Sequence, residues 1–97
     1  MTPHQILRAA LKKVSAPGAW GQGVRGRDRP IGTCCIAEAV EDVSAGYYDE
    51  RTDAFRAVYQ AAGLDRTWGA ISEWNDAPER TKSEVVNTLK LALNFVP

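Results

Sequence analysis

An all-α fold is predicted by three observations. Apolar residues recur at helical spacing in several separate segments, two of those segments open on a Thr-x-x-Gln/Glu capping box, and Gly or Pro-Gly falls where the repeats end. The expectation is one small domain over residues 1–97, with four main helices, a short helical turn, and a long Gly/Arg-rich loop after the first helix.

Each element has its own local signal. Thr2 caps the first helix, Pro3 suits its first position, and Gln5 completes the capping box. Leu7, Ala10, Leu11 and Val14 then form one face, with Arg8, Lys12 and Lys13 largely off it, and Pro17-Gly18 stops the helix. Residues 17–32 carry five of the eight glycines and read as a loop, with Trp20, Val24 and Ile31 as its anchors to the core. A second helix is expected from near Thr33 to about Val43, carrying Cys34 and Cys35. A third follows Asp49 or Thr52, with Phe55, Val58, Tyr59 and Ala62 at helical spacing and Gly63-Leu64 as its stop. Thr67 suits the cap of a short turn holding Ile71 and Trp74, and Asn75-Asp76-Ala77-Pro78 reads as a turn. Thr81-x-x-Glu84 opens the last helix, from Lys82 to about Asn94, with Val85, Val86, Leu89, Ala92 and Leu93 as its apolar stripe.

Composition narrows the function classes. The hydrophobic fraction is 44% and the formal net charge is zero, which fits a folded chain. No apolar run approaches the roughly 20 residues of a membrane span, and Ile6-Leu7 is followed at once by Arg8, unlike a signal peptide. The cytoplasm is the expected compartment. Cys34 and Cys35 are neighbours, poorly placed to bridge each other, and read as reduced thiols. No second cysteine pair stands nearby and His4 is the one histidine, so neither metal nor cofactor is expected.

The charge is zero in sum but split along the chain. Residues 1–32 hold six cations against Asp28, residues 33–79 hold three against ten acids, and residues 80–97 hold three against Glu84. Such a split speaks of partners or of internal pairing.

Several stretches carry a resemblance. Gly18-Ala19-Trp20-Gly21-Gln22-Gly23, the segment Cys35-Ile36-Ala37-Glu38-Ala39-Val40, and Ile71-Ser72-Glu73-Trp74-Asn75-Asp76 running into Arg80-Thr81-Lys82-Ser83-Glu84-Val85-Val86 recur together. The chain resembles an uncharacterised family of small helical proteins, a domain of unknown function found in actinobacteria and bacteriophages. The resemblance implies a small helical domain of bacterial or phage origin, and no activity.

Catalysis is not expected. Cys35, His4 and Asn75 or Asp76 could be written as a Cys-His-Asn set, but three distant segments would have to converge. Gly21-x-Gly23-x-x-Gly26 has the spacing of a dinucleotide loop, yet it follows no strand and opens no helix. The expectation is a small non-enzymatic accessory or inhibitory protein that binds another protein, through Arg25, Arg27, Arg29, Tyr47, Tyr48 and Trp68. Nucleic acid is the alternative partner, met by Arg8, Lys12, Lys13, Trp20, Arg25, Arg27 and Arg29, against a neutral total charge. Self-association, as in a homo-oligomeric structural or virion component, would use the same surface.

Overall fold

The computed structural model describes residues 1–23, 29–67 and 69–96. Five helices stand among them: α1 (Pro3–Ser15), α2 (Ile36–Val43), α3 (Tyr48–Ala62), α4 (Ala70–Asp76) and α5 (Lys82–Ala92), the last extended by a 3₁₀ turn, Leu93–Phe95. The described residues contain no strand, only an isolated parallel bridge between Trp20 and Cys34. The all-α expectation holds, and the anticipated short turn is the seven-residue helix α4.

The first and last helices begin as their sequences dictate. Thr2 Oγ1 accepts from the Gln5 N–H while Gln5 Oε1 accepts from the Thr2 N–H, at 3.1 and 2.9 Å. Thr81 and Glu84 repeat the arrangement at 3.2 and 3.0 Å. Each box satisfies two donors that a helix start otherwise leaves unpaired. The two ends also meet: Lys82 Nζ, in the first turn of α5, donates to the carbonyls of Ser15 and Ala16 at the C-terminus of α1. A cation there also opposes the negative end of the helix dipole.

One central core gathers the apolar stripes. Ile6, Leu7, Ala10 and Val14 of α1 meet Ile36, Ala39 and Val40 of α2, Ala54, Ala57 and Val58 of α3, and Val85, Leu89 and Ala92 of α5. Burial of each larger aliphatic side chain stabilises by about 1.5–3 kcal/mol. α1 lies against α2, α3 and α5, while α4 packs on α2.

Helix α2 departs from expectation. It starts at Ile36, not Thr33, and both cysteines precede it. Thr33 instead bonds back to the Pro30 carbonyl. Cys34 is extended: its N–H donates to Ala19 O at 2.7 Å and its carbonyl accepts from Gly21 N at 3.0 Å. That long-range pairing overrides the local cap signal at Thr33. Cys35 is the N-cap, its Sγ accepting from the Glu38 N–H while Glu38 Oε1 accepts from the Cys35 N–H. It is a capping box built with a thiol. Ile31 is fully exposed and anchors nothing, whereas Trp20 packs against the core. Val24 lies outside the described residues.

Helix α3 begins at Tyr48, slightly earlier than expected, and ends as predicted. Gly63 has φ +71°, its N–H donates to Gln60 O, and Leu64 N–H donates to Tyr59 O. This is a Schellman motif, with Leu64 folded onto the core. Thr67 does not cap α4; Gly69, at φ +84°, takes the N-cap position.

A Cβ at Gly63 meets nothing within 4 Å, so its substitution isolates the conformational cost. Gly63→Ala is expected to lower the unfolding free energy by about 1–2 kcal/mol. Urea titration should show the midpoint falling with the slope unchanged.

Candidate functional site

Asn75 is fully buried at the end of α4, and every bonding capacity of its amide is used. Oδ1 accepts from Trp20 Nε1 at 2.7 Å and from the Ile36 N–H, the first residue of α2, at 3.0 Å. Nδ2 donates to Gly21 O at 3.1 Å and to Asp76 Oδ1 at 2.9 Å. Around this clamp, Gln22 Nε2 donates to the carbonyls of Asn75 and Ala77, and the Gly23 N–H donates to Asp76 Oδ1. The Gly18–Gly23 stretch, the start of α2 and the end of α4 are thus fastened at one point.

The clamp continues into α5 through Trp74 and Arg80. The Arg80 guanidinium lies 4.0 Å from the Trp74 ring centre. Its Nε donates to Trp74 O and its NH1 group meets Glu84 Oε2, both at 2.9 Å. The backbone and hydroxyl of Thr81, with Arg80, hold the Glu84 carboxyl below its ordinary pKa.

Next to the clamp, α4 borders an open groove. Ala37 and Glu41 of α2, Phe55 and Tyr59 of α3, and Gly69, Ile71, Ser72, Glu73, Asp76 and Ala77 line about 860 Å³. Phe55, Tyr59 and Ile71 give it an apolar floor, and Glu41, Glu73 and Asp76 supply acids at its edges. A shallower hollow of about 340 Å³ adjoins across Phe55 and Tyr59, bordered by Thr52, Arg56, Arg66 and Thr67. Tyr59 OH donates to Thr67 O at 3.4 Å and ties the α3–α4 connection to α3.

The residues named from sequence do not come together at one place. Arg25, Arg27 and Trp68 lie outside the described residues, although Thr67 and Gly69 border the grooves. Lys13 and Arg29 converge on α2: Lys13 Nζ is 3.4 Å from Asp42, and Arg29 NH1 is 3.3 Å from Glu38 and 3.0 Å from Asp42. Part of the charge split is therefore internal pairing. Arg8 and Lys12 stay exposed on α1, and Trp20 is committed to Asn75. Tyr47 and Tyr48 are exposed at the α2–α3 turn, with Arg51 over the Tyr48 ring at 5.2 Å. By the 3.6-residue repeat Tyr48 lies on the same stripe of α3 as Phe55 and Tyr59.

Sequence reasoning missed Asn75 as a buried residue and missed the groove. Asn75-Asp76 had the composition of a turn, and the groove comes from three segments that only packing assembles. Chemically, burial pushes both thiols up in pKa and keeps them protonated, and His4 bonds neither among the described residues. No cluster of three or more His, Cys, Asp and Glu among the described residues could hold a metal ion. No helix among them is long and apolar enough to cross a membrane.

Among the described residues, five helices are fastened by a buried asparagine clamp beside a groove lined by apolar and acidic side chains. The chain belongs to the family of unknown function DUF6197, which matches residues 1–94. No curated protein and no solved structure matches it.

Two predictions test the clamp. Asn75→Ala strands the buried Ile36 N–H and removes the partner of the partly buried Trp20 indole N–H and Gly21 carbonyl, at about 1–3 kcal/mol for a fully buried group left unpaired and less for the other two. A loss of about 2–4 kcal/mol is expected by urea unfolding, a large part of the roughly 5–15 kcal/mol typical of a domain. For Glu84, whose folded pKa is depressed below its ordinary value, stability is fully present above its unfolded pKa. It is lost as pH falls through the lower folded value. Glu84→Gln should flatten that acid limb in melting curves recorded against pH.

Proposed function

We propose that this chain is a small non-enzymatic accessory or inhibitory protein, of bacterial or phage origin, that works in the cytoplasm by binding another protein. The observation that carries this reading is the groove between α2, α3 and α4. Its floor presents Phe55, Tyr59 and Ile71, and its walls are fixed helices. Aromatic side chains in a preformed hollow lose little conformational freedom on binding and bury much area, which suits them as anchors. The exposed Tyr48 continues the same stripe of α3 and extends the contact surface. Nucleic-acid binding has less support, because Lys13 and Arg29 are engaged with α2 carboxylates and the groove is edged by acids.

Ser72→Arg tests the reading by filling the groove from the solvent side of α4. The variant should melt with the parent, while affinity capture from a bacterial lysate, read by mass spectrometry and repeated with the purified captured protein, should fall at least about tenfold, a change of 1.4 kcal/mol. A captured protein that binds the variant equally well removes the groove from the reading. Turnover of a substrate by the purified chain removes the non-enzymatic part.

A further inference from the structure

We infer that the groove takes a cationic amphipathic helix of the partner, with its apolar side chains on Phe55, Tyr59 and Ile71 and lysine or arginine at Glu41 and Glu73. The inference rests on the protein-binding reading above and specifies the chemistry of the occupant.

Charge complementarity carries it. Two faces of α2 bear acids, and they differ in how those acids are used. Glu38 and Asp42, one turn apart, hold Arg29 and Lys13. Ala37 and Glu41, also one turn apart, face the groove instead. Among the described residues neither Glu41 nor Glu73 of α4 forms an ion pair. Both are exposed and within reach of a ligand. Asp76, in the same lining, already accepts from Asn75 and Gly23 and is not needed as a contact.

Two acids from different helices, lining one hollow with Phe55, Tyr59 and Ile71, match an amphipathic helix whose basic residues flank its apolar stripe. In that mode apolar anchors at i, i+3 or i+4, and i+7 supply the binding energy, while charge sets orientation and the rate of encounter. An acidic segment would meet like charges from both helices. A purely basic segment would leave the floor in water.

The test is an amide NMR titration of the full chain with three synthetic peptides of about four helical turns. One has a leucine face flanked by lysines, one has glutamates in place of the lysines, and one has serines in place of the leucines. The leucine–lysine peptide should bind and shift Ala37, Glu41, Phe55, Tyr59, Ser72 and Glu73. The other two should bind at least about tenfold more weakly, and added salt should weaken the first. The double variant Glu41→Lys, Glu73→Lys should exchange the preference, taking the leucine–glutamate peptide over the leucine–lysine one. Equal binding of the two leucine peptides, or shifts centred elsewhere on the molecule, overturns the inference.

The two readings fail separately. A natural partner lost on Ser72→Arg but indifferent to the double charge reversal keeps the groove as binding site and removes the cationic occupant. A groove that shows the charge exchange with peptides, while captured proteins ignore Ser72→Arg, removes the proposed function and keeps the groove's preference.

Discussion

A buried amide with all four of its hydrogen bonds made is the constraint on which one end of this molecule depends. Asn75 accepts from Trp20 and Ile36 and donates to Gly21 and Asp76. Burial makes the bond to the Ile36 N–H the costliest to lose, while the other three are partly buried. The Gly-rich stretch before α2 has few apolar residues to hold it, and α4 is two turns long. Neither element has much independent reason to stay in place. Fastened to one amide, each fixes the other, and the first N–H of α2 is satisfied in the same act.

The clamp also joins two stretches that lie far apart in the sequence. Trp20, Gly21, Gln22 and Gly23 bond to Asn75, Asp76 or Ala77. Trp74 carries Arg80 on its ring, and Arg80 reaches Glu84, which closes the cap of α5. The Gly-Ala-Trp-Gly-Gln-Gly and Trp-Asn-Asp to Arg-Thr-x-x-Glu stretches are therefore two sides of one joint. Arginine suits the middle place because its planar group can stack on a ring while its edge bonds a carbonyl and a carboxylate. The joint spends these side chains on holding the fold.

What was legible in the sequence follows the range of the interactions. The caps at Thr2 and Thr81 and the stop at Gly63 are made within a few residues, and local spacing reveals them. The start of α2 is set by the pairing of Cys34 with Ala19 and Gly21, which no local pattern contains. The Cys35-x-x-Glu38 spacing was present, but sulfur is a weak acceptor and seldom the N-cap residue. Arg29 was recognisable as a cation, while its ties to Glu38 and Asp42 depend on how the loop returns to α2. Asn75 carried the composition of a turn residue, and nothing near it in sequence announces Trp20 or Ile36 as partners. The groove is the least legible part, since Glu41, Phe55, Tyr59, Ile71 and Glu73 become neighbours only through tertiary packing.

The division of labour on α2 bears on how a neutral protein can still present a charged face. Had all its acids been neutralised by the basic N-terminal third, no local field would remain there. Lys13 and Arg29 instead attend to Glu38 and Asp42 on one side of the helix. The groove side keeps Glu41, and α4 adds Glu73 to the same lining. Net charge thus says little about this surface, because the cations and acids that cancel in the sum are distributed over different faces. A hollow with low-dielectric walls concentrates what field is left, so a few acids at its edge weigh more than the same acids on an open surface. The asymmetry along the chain, partly spent within the fold, survives where the fold leaves a space for something else.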